Sequence, residues 1–217
     1  MVRQRKTREE SKCIELYRKY YLDRDYEQVD LFKLLDDAFT LSNVVYPGSF
    51  VHISPSFVFP NVTYIDSDRQ ARGFFDNDKQ IKTYIRGRKA YKQEPNVTFV
   101  DADYRKIRSD LLDRFDLLIS QYAGFVSEAC KPYLKVGGLL LVNNSHGDAG
   151  LAAVDEDFEL IATVHVSRGK YRISYTDLAE YFVPKNKVKL TQAYLHDLGK
   201  GVGYIRTAPL YLFRRIS

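Results

Sequence analysis

Polar residues stand directly after several apolar runs in this sequence, and their types suit the binding of a nucleoside. Gly48 and Ser49 follow the run at 42–46, Asp66 ends the run at 61–66, and Asp101 ends the run at 96–101. Ser120 ends the run at 115–120 and is followed by Gln121 and Tyr122. In open α/β sheets, ligands lie outside the carboxyl ends of the strands, near the point where strand order reverses. A glycine after the first strand lets backbone approach a ligand closely. A carboxylate at the end of the second strand accepts hydrogen bonds from both hydroxyls of a ribose. Asp101 and the N–H of Ala102 are placed to meet an adenine edge. Asp66, Asp68 and Asp103 also suit the N-caps of following helices, so each aspartate alone has a structural reading as well.

These residues need a scaffold that brings strand ends together. The runs at 61–66, 96–101, 115–120 and 137–143 are nearly continuous in apolar residues, which predicts strands buried on both faces of a parallel sheet. Helical segments are predicted at 7–22 and 28–40, in the basic region 68–91, and at 104–113 and 124–134, with Pro132 ending the last. Short helices are predicted at 176–182 and 190–197. Further strands are predicted at 158–166 and 204–213, where Pro209 marks an edge or bulge. This alternation predicts an α/β fold: a doubly wound, mostly parallel, seven-stranded sheet with helices on both faces and an antiparallel end. Residues 1–40 are expected to form a helical extension and 41–217 one α/β domain.

Composition narrows the class. The 217 residues are 45% hydrophobic and 28% charged, enough for a core and typical of a globular chain. No run reaches the roughly 20 apolar residues of a membrane helix. The N-terminal Met-Val-Arg-Gln-Arg-Lys-Thr-Arg lacks the apolar stretch of a signal peptide. Cys13 and Cys130 are isolated, and the four histidines are scattered, so neither a disulfide framework nor a metal site is expected. A reduced, cytoplasmic setting is the expectation. The net charge of +5 is concentrated at 69–92, where eight basic residues face Asp76 and Asp78. That stretch suits either nucleic acid or a solvated helix face. Tyrosines interleaved with basic residues around 17–26 and 82–91 suit stacking on a nucleic-acid strand, and suit half-buried rings on amphipathic helices better.

Phe115-Asp-Leu-Leu-Ile-Ser-Gln-Tyr122, followed by Leu134-Lys-Val-Gly-Gly-Leu-Leu139, resembles the fourth strand and the L-K-x-G-G-x-L entry to the fifth strand of the class I S-adenosylmethionine-dependent methyltransferases. The resemblance spans about 40–217. It implies S-adenosylmethionine as cofactor, with Tyr46, Gly48 and Ser49 along its methionine part, Asp66 on the ribose, and Asp101 and Ala102 about the adenine. It places Ser120, Gln121 and Tyr122 where the methyl group is transferred, with Gln121 and Tyr122 as the catalytic pair. Tyr122, His146 and Asp148 are the groups near enough to take a proton from an acceptor, although the run 143–148 also reads as a polar turn. The sequence departs from the family at the cofactor loop. Gly48 is the one glycine between the first two strands, and Tyr46 or Pro47 stands where an acidic residue is usual. His52 in that loop is expected to be solvated.

A second reading is a non-catalytic module of the same fold that binds a nucleotide-like ligand, nucleic acid or a protein partner. Other classes lack their motifs. Gly199-Lys-Gly-Val-Gly203 has neither the order of a phosphate loop nor a strand before it. No Gly-x-Ser-x-Gly elbow and no Gly-x-Gly-x-x-Gly fingerprint is present. The Asn/Asp-Pro-Pro-Tyr pattern of amino-group methylation is also missing after the fourth strand.

Overall fold

The computed structural model describes residues 14–217; Cys13 and the first part of the predicted helix at 7–22 lie outside the described residues. Eight strands form one sheet among the described residues, in the order β3-β2-β1-β4-β5-β8-β6-β7. They are β1 (Asn43–Pro47), β2 (Asn61–Asp66), β3 (Asn96–Asp101), β4 (Phe115–Ser120), β5 (Leu134–Val142), β6 (Phe158–Ser167), β7 (Lys170–Ser174) and β8 (Leu210–Arg215). The strands from β3 to β5 pair in parallel. β8, β6 and β7 close the sheet in antiparallel fashion. Chain direction reverses its walk across the sheet at β1 and β4, so the carboxyl ends of those two strands meet at the switch point.

Helices cover both faces. On one face lie the helical segment at 14–17 with its π-turn Arg18–Leu22, then α1 (Val29–Ala38), α2 (Arg69–Phe75) and α3 (Asp78–Arg86). Tyr17, Leu31, Phe32 and Leu35 are buried there against Val44, Tyr46, Leu117 and Ile119. Residues 14–38 are thus part of the same hydrophobic cluster as the sheet. α4 (Val126–Cys130) and α5 (Asp148–Val154) pack on the other face, over Val45, Leu118, Leu140 and Val142. The even and odd positions of β1, β4 and β5 therefore feed two separate cores. A short α6 (Gln192–Leu198) packs on α5. No helix among the described residues is long and apolar enough to cross a membrane.

Several sequence expectations shift. The sheet has eight strands rather than seven, because 158–174 forms a hairpin. Its two-residue turn, Arg168-Gly169, has φ of 49° and 75°, which matches the twist of the flanking strands. β3 is not doubly buried; it forms the sheet edge and alternates between exposed and half-buried positions. The basic region divides into α2 and α3, with Asn77 between them donating from its amide to the Gly73 carbonyl at 2.8 Å. The segment 104–113 forms just one 3₁₀ turn, Ser109–Leu111. Ile107 and Leu112 stay exposed, so the segment has no apolar face to bury as a helix. The segment at 176–182 likewise reduces to the 3₁₀ turn Leu178–Glu180. The last strand starts at Leu210, since Pro209 has no N–H to give a ladder.

Candidate functional site at the β1 and β4 rim

The loop after β1 folds back onto β2. The Gly48 N–H donates to the Ile65 carbonyl at 2.8 Å, and the Phe50 N–H donates to Asp66 Oδ2 at 2.7 Å. Phe50 has φ of 49°, a left-handed conformation for a large side chain. The Asp68 N–H donates to the other Asp66 oxygen at 2.8 Å. Each oxygen of the half-buried Asp66 carboxylate keeps a further lone pair. Asp68 itself caps α2, accepting from the N–H groups of Gln70 and Ala71. The two aspartates after β2 thus divide the work: Asp68 fixes the helix, and Asp66 fixes the loop.

Gly48 has φ of 63°, and what approaches it is protein. A Cβ on Gly48 would lie 2.2 Å from the Ala123 Cβ, in the turn after β4. Tyr104 holds that turn through a hydrogen bond to the Ala123 carbonyl. Ser49 is buried, and its carbonyl accepts the His52 N–H. Tyr46 is also buried; its hydroxyl donates to His52 Nδ1 at 3.2 Å. Because His52 Nε2 meets the Glu27 carbonyl at 3.1 Å, that nitrogen carries the proton. His52 is therefore not a solvated loop residue. It is 1% exposed, stacks on Tyr21 with ring centroids 4.2 Å apart, and burial pushes its pKa down to about 4.

At the end of β3, Asp101 is held by Arg72 of α2 in a two-point ion pair, with nitrogen–oxygen distances of 2.6 and 2.9 Å. The Ala102 N–H is shared between the carbonyls of Asp66 and Val100. The adenine contacts that the sequence suggests thus already have protein partners.

At the end of β4, the Ser120 hydroxyl donates to Asp148 at the start of α5. Ser127 of α4 donates to the same carboxylate through its N–H at 3.0 Å and its hydroxyl at 2.5 Å. Asp148 is 2% exposed, and burial raises its pKa to about 6 against the pull of those donors. It ties β4, α4 and α5 together on the face away from the β1 loop. In the 143–148 segment, His146 is exposed and meets the Ser145 hydroxyl at 3.0 Å.

Gln121 differs from all of these. It is 3% exposed, and neither its Oε1 nor its Nε2 has a hydrogen-bond partner. Tyr122 follows with φ of 59°, is 62% exposed, and stands 6.3 Å from Tyr26, centroid to centroid. Gly48, Ser49, Asp66, Ala102, Gln121 and Tyr122 are thus gathered at one edge of the sheet. Tyr46 and Ser120 lie below that edge with their hydroxyls engaged. Tyr171 on β7 and Gln28 before α1 also reach this neighbourhood, and neither is singled out by the sequence. The Arg168-Gly169 turn, flanked by alternating residues, is the signal that leads to β7.

Half of the basic residues at 69–92 are ion-paired by the fold. Arg72 pairs with Asp101, Lys82 with Asp78, Arg86 with Glu94, and Arg88 with Glu27. Lys89 donates to the carbonyls of Tyr91, Lys92 and Gln93. Arg69, Lys79 and Lys92 have no ion pair among the described residues.

Five parallel strands that reverse at β1 and β4, followed by an antiparallel end, make this a doubly wound, Rossmann-like α/β fold. No family model matches the chain, and no curated protein matches it. Among solved structures, it is similar to a methyltransferase from Geobacter sulfurreducens at 18% identity and a TM-score of 0.46, over 79% of this chain and 91% of that one. An rRNA methylase from Streptococcus thermophilus is similar at 14% identity and a TM-score of 0.44, over 87% and 93%. The YcgJ protein of Bacillus subtilis is similar at 14% identity and a TM-score of 0.38, over 54% of this chain; the match spans half of that protein's length.

Proposed function

We propose that the chain binds S-adenosylmethionine at the carboxyl edge of β1, β2 and β4 and passes its methyl group to an acceptor beside Gln121 and Tyr122. The observation that carries this reading is Asp66. Two backbone N–H groups orient its carboxylate at the end of β2, and each oxygen retains a lone pair for a ribose hydroxyl. When bound, the cofactor supplies an electrophilic methyl on a positively charged sulfur. The chain's part is to hold the ribose at Asp66, to align the acceptor at the β4 end, and to exclude water. The exposed Tyr122 is the side chain at that end that can hydrogen-bond an acceptor hydroxyl or amine and orient it. Asp101 fits the adenine role less well, because Arg72 occupies its carboxylate.

The alternative, a non-catalytic module, is favoured by one observation: Ala123 fills the space over Gly48, where a cofactor chain would pass. Calorimetric titration with S-adenosylmethionine and S-adenosylhomocysteine separates the two. Saturable 1:1 binding that weakens at least tenfold in Asp66→Asn supports the cofactor site. No binding by the folded protein supports the module. Binding unchanged in Asp66→Asn removes the ribose assignment.

A further inference from the structure

Lysines gather without carboxylate partners at one place in the fold, outside the basic stretch 69–92. Lys185, Lys187, Lys189 and Lys200 have no ion pair among the described residues. Between residues 183 and 203 the one carboxylate is Asp197. Just before that segment, Asp177 and Glu180 are held by Arg206. Lys185 and Lys200 line a cleft of about 290 Å³ between the 185–188 segment, α6 and the 200–203 loop, and no carboxylate lines it. A cleft lined by one sign of charge focuses the field and concentrates a counter-ion. The chain builds the cleft by pairing with itself. The Lys185 N–H donates to the Gly203 carbonyl, and the Ile205 N–H to the Val183 carbonyl, both at 2.9 Å. The stem of Lys185 runs beside Gly203, with its Cδ 3.9 Å from where a Cβ would lie. The N–H groups of Gly201, Val202 and Gly203 have no acceptor among the described residues. Val188, Tyr194 and Leu198 give the cleft an apolar side. β8 runs antiparallel to β5, with Tyr211 opposite Val142, so the loops before β8 meet the carboxyl end of β5. Gly201 packs there on the Asn144 backbone, 2.5 Å from a Cβ position to the carbonyl oxygen.

We propose that this cleft binds the phosphate of a nucleotide, with Lys185 and Lys200 taking its charge and Tyr194 facing its ring. Two ammonium groups and unmet backbone N–H groups match a phosphate dianion, whose oxygens accept several charge-assisted hydrogen bonds. A single carboxylate would leave one of the two lysines uncompensated. The apolar side with its tyrosine suits a flat ring joined to that phosphate. A volume of about 290 Å³ lies at the small end of ligand sites, which fits one nucleotide unit. Lys187 and Lys189 carry the positive segment past the cleft, where a neighbouring phosphate of a strand would lie. The role of the nucleotide as methyl acceptor rests on the proposed function; its binding does not.

The test uses the full chain without cofactor, titrated with uridine 5′-monophosphate, uridine and a short oligouridine. The expected result is binding of the monophosphate at least tenfold tighter than of uridine. The double variant Lys185→Gln, Lys200→Gln is expected to abolish that preference with the melting temperature unchanged, because both side chains are exposed and unpaired. Lys79→Gln with Lys92→Gln removes the same charge elsewhere and is expected to keep the preference. Binding of the oligouridine but not of the monophosphate, lost in the Lys185 and Lys200 variant, supports the site and assigns the phosphate to a strand. Equal affinity for monophosphate and uridine, binding of neither monophosphate nor strand, or the same loss in both double variants would each overturn the proposal, as would affinity unchanged in the Lys185 and Lys200 variant. S-adenosylhomocysteine is titrated separately. Its failure to bind, with the phosphate preference intact, sinks the proposed function alone.

Discussion

Ala123 sits directly over Gly48, so close that a Cβ on Gly48 would lie 2.2 Å from the Ala123 Cβ. This contact joins the loops after β1 and β4, the two strands at which the sheet reverses. Gly48→Ala would force a side chain into a left-handed backbone and a filled space. The expected loss is roughly 2–4 kcal/mol of stability, measured by denaturant unfolding. Adding Ala123→Gly should return the steric part and leave the backbone part. A Gly48→Ala variant as stable as the parent would show that the two loops do not pack this way.

His52 and Asp148 make opposite contributions to stability in one pH window. The His52 pKa is lowered by burial to about 4, from an unfolded value near 6.5. Its contribution is present above the unfolded value and is lost as pH falls through 6.5 towards 4. The Asp148 pKa is raised by burial to about 6, from about 3.9 unfolded. Its contribution is present below the unfolded value and is lost as pH rises through 6. Each is of order 3 kcal/mol, so the two largely cancel in the parent. Relative to the parent, Asp148→Asn should therefore gain stability as pH rises from 4 to 6.5, and His52→Gln should lose it. Unfolding free energies across that range check the signs, and the same sign in both variants would sink the assignment.

Glu27 joins the N-terminal segment to α3. It accepts both arms of Arg88, at 2.6 and 2.8 Å, as well as the Tyr17 hydroxyl. Arg88 also lies over the Phe57 ring at 4.4 Å. Glu27→Ala should cost roughly 1–3 kcal/mol, because it leaves the half-buried guanidinium without its carboxylate and the buried Tyr17 hydroxyl with Ser54 alone. The melting transition should move down and stay single, since Tyr17 and Phe32 share a core with the sheet. Two separate transitions would instead show that the N-terminal helices unfold on their own.

The basic region should bind nucleic acid weakly at most. Among the described residues, Arg69, Lys79 and Lys92 are its cations held neither by an ion pair nor, like Lys89, by backbone carbonyls. If these three carry the contact, the logarithm of affinity should fall with the logarithm of salt at a slope near −3. Binding by electrophoretic or fluorescence titration at several salt concentrations measures this. A slope near −6 would mean that the ion pairs of Arg72, Lys82, Arg86 and Arg88 open on binding.

The sequence by itself determined where β2 and β3 begin and end, because an apolar run that stops at a polar residue is a local signal. Both strands occupy 61–66 and 96–101 as the pattern predicts. It also determined that Asp66, Asp101 and Gln121 fall at strand ends. It did not mark β7, whose Lys-Tyr-Arg-Ile-Ser is polar enough to pass for a loop, nor α5, whose small residues follow a polar turn. Only the tertiary structure decided which polar groups remain available. Arg72 reaches Asp101 from another element, Ser120 and Ser127 converge on Asp148, and Gln121 is left with no partner. Strand boundaries follow from neighbours along the chain. The partners of a side chain follow from crossovers that bring distant segments together, and no local pattern records those.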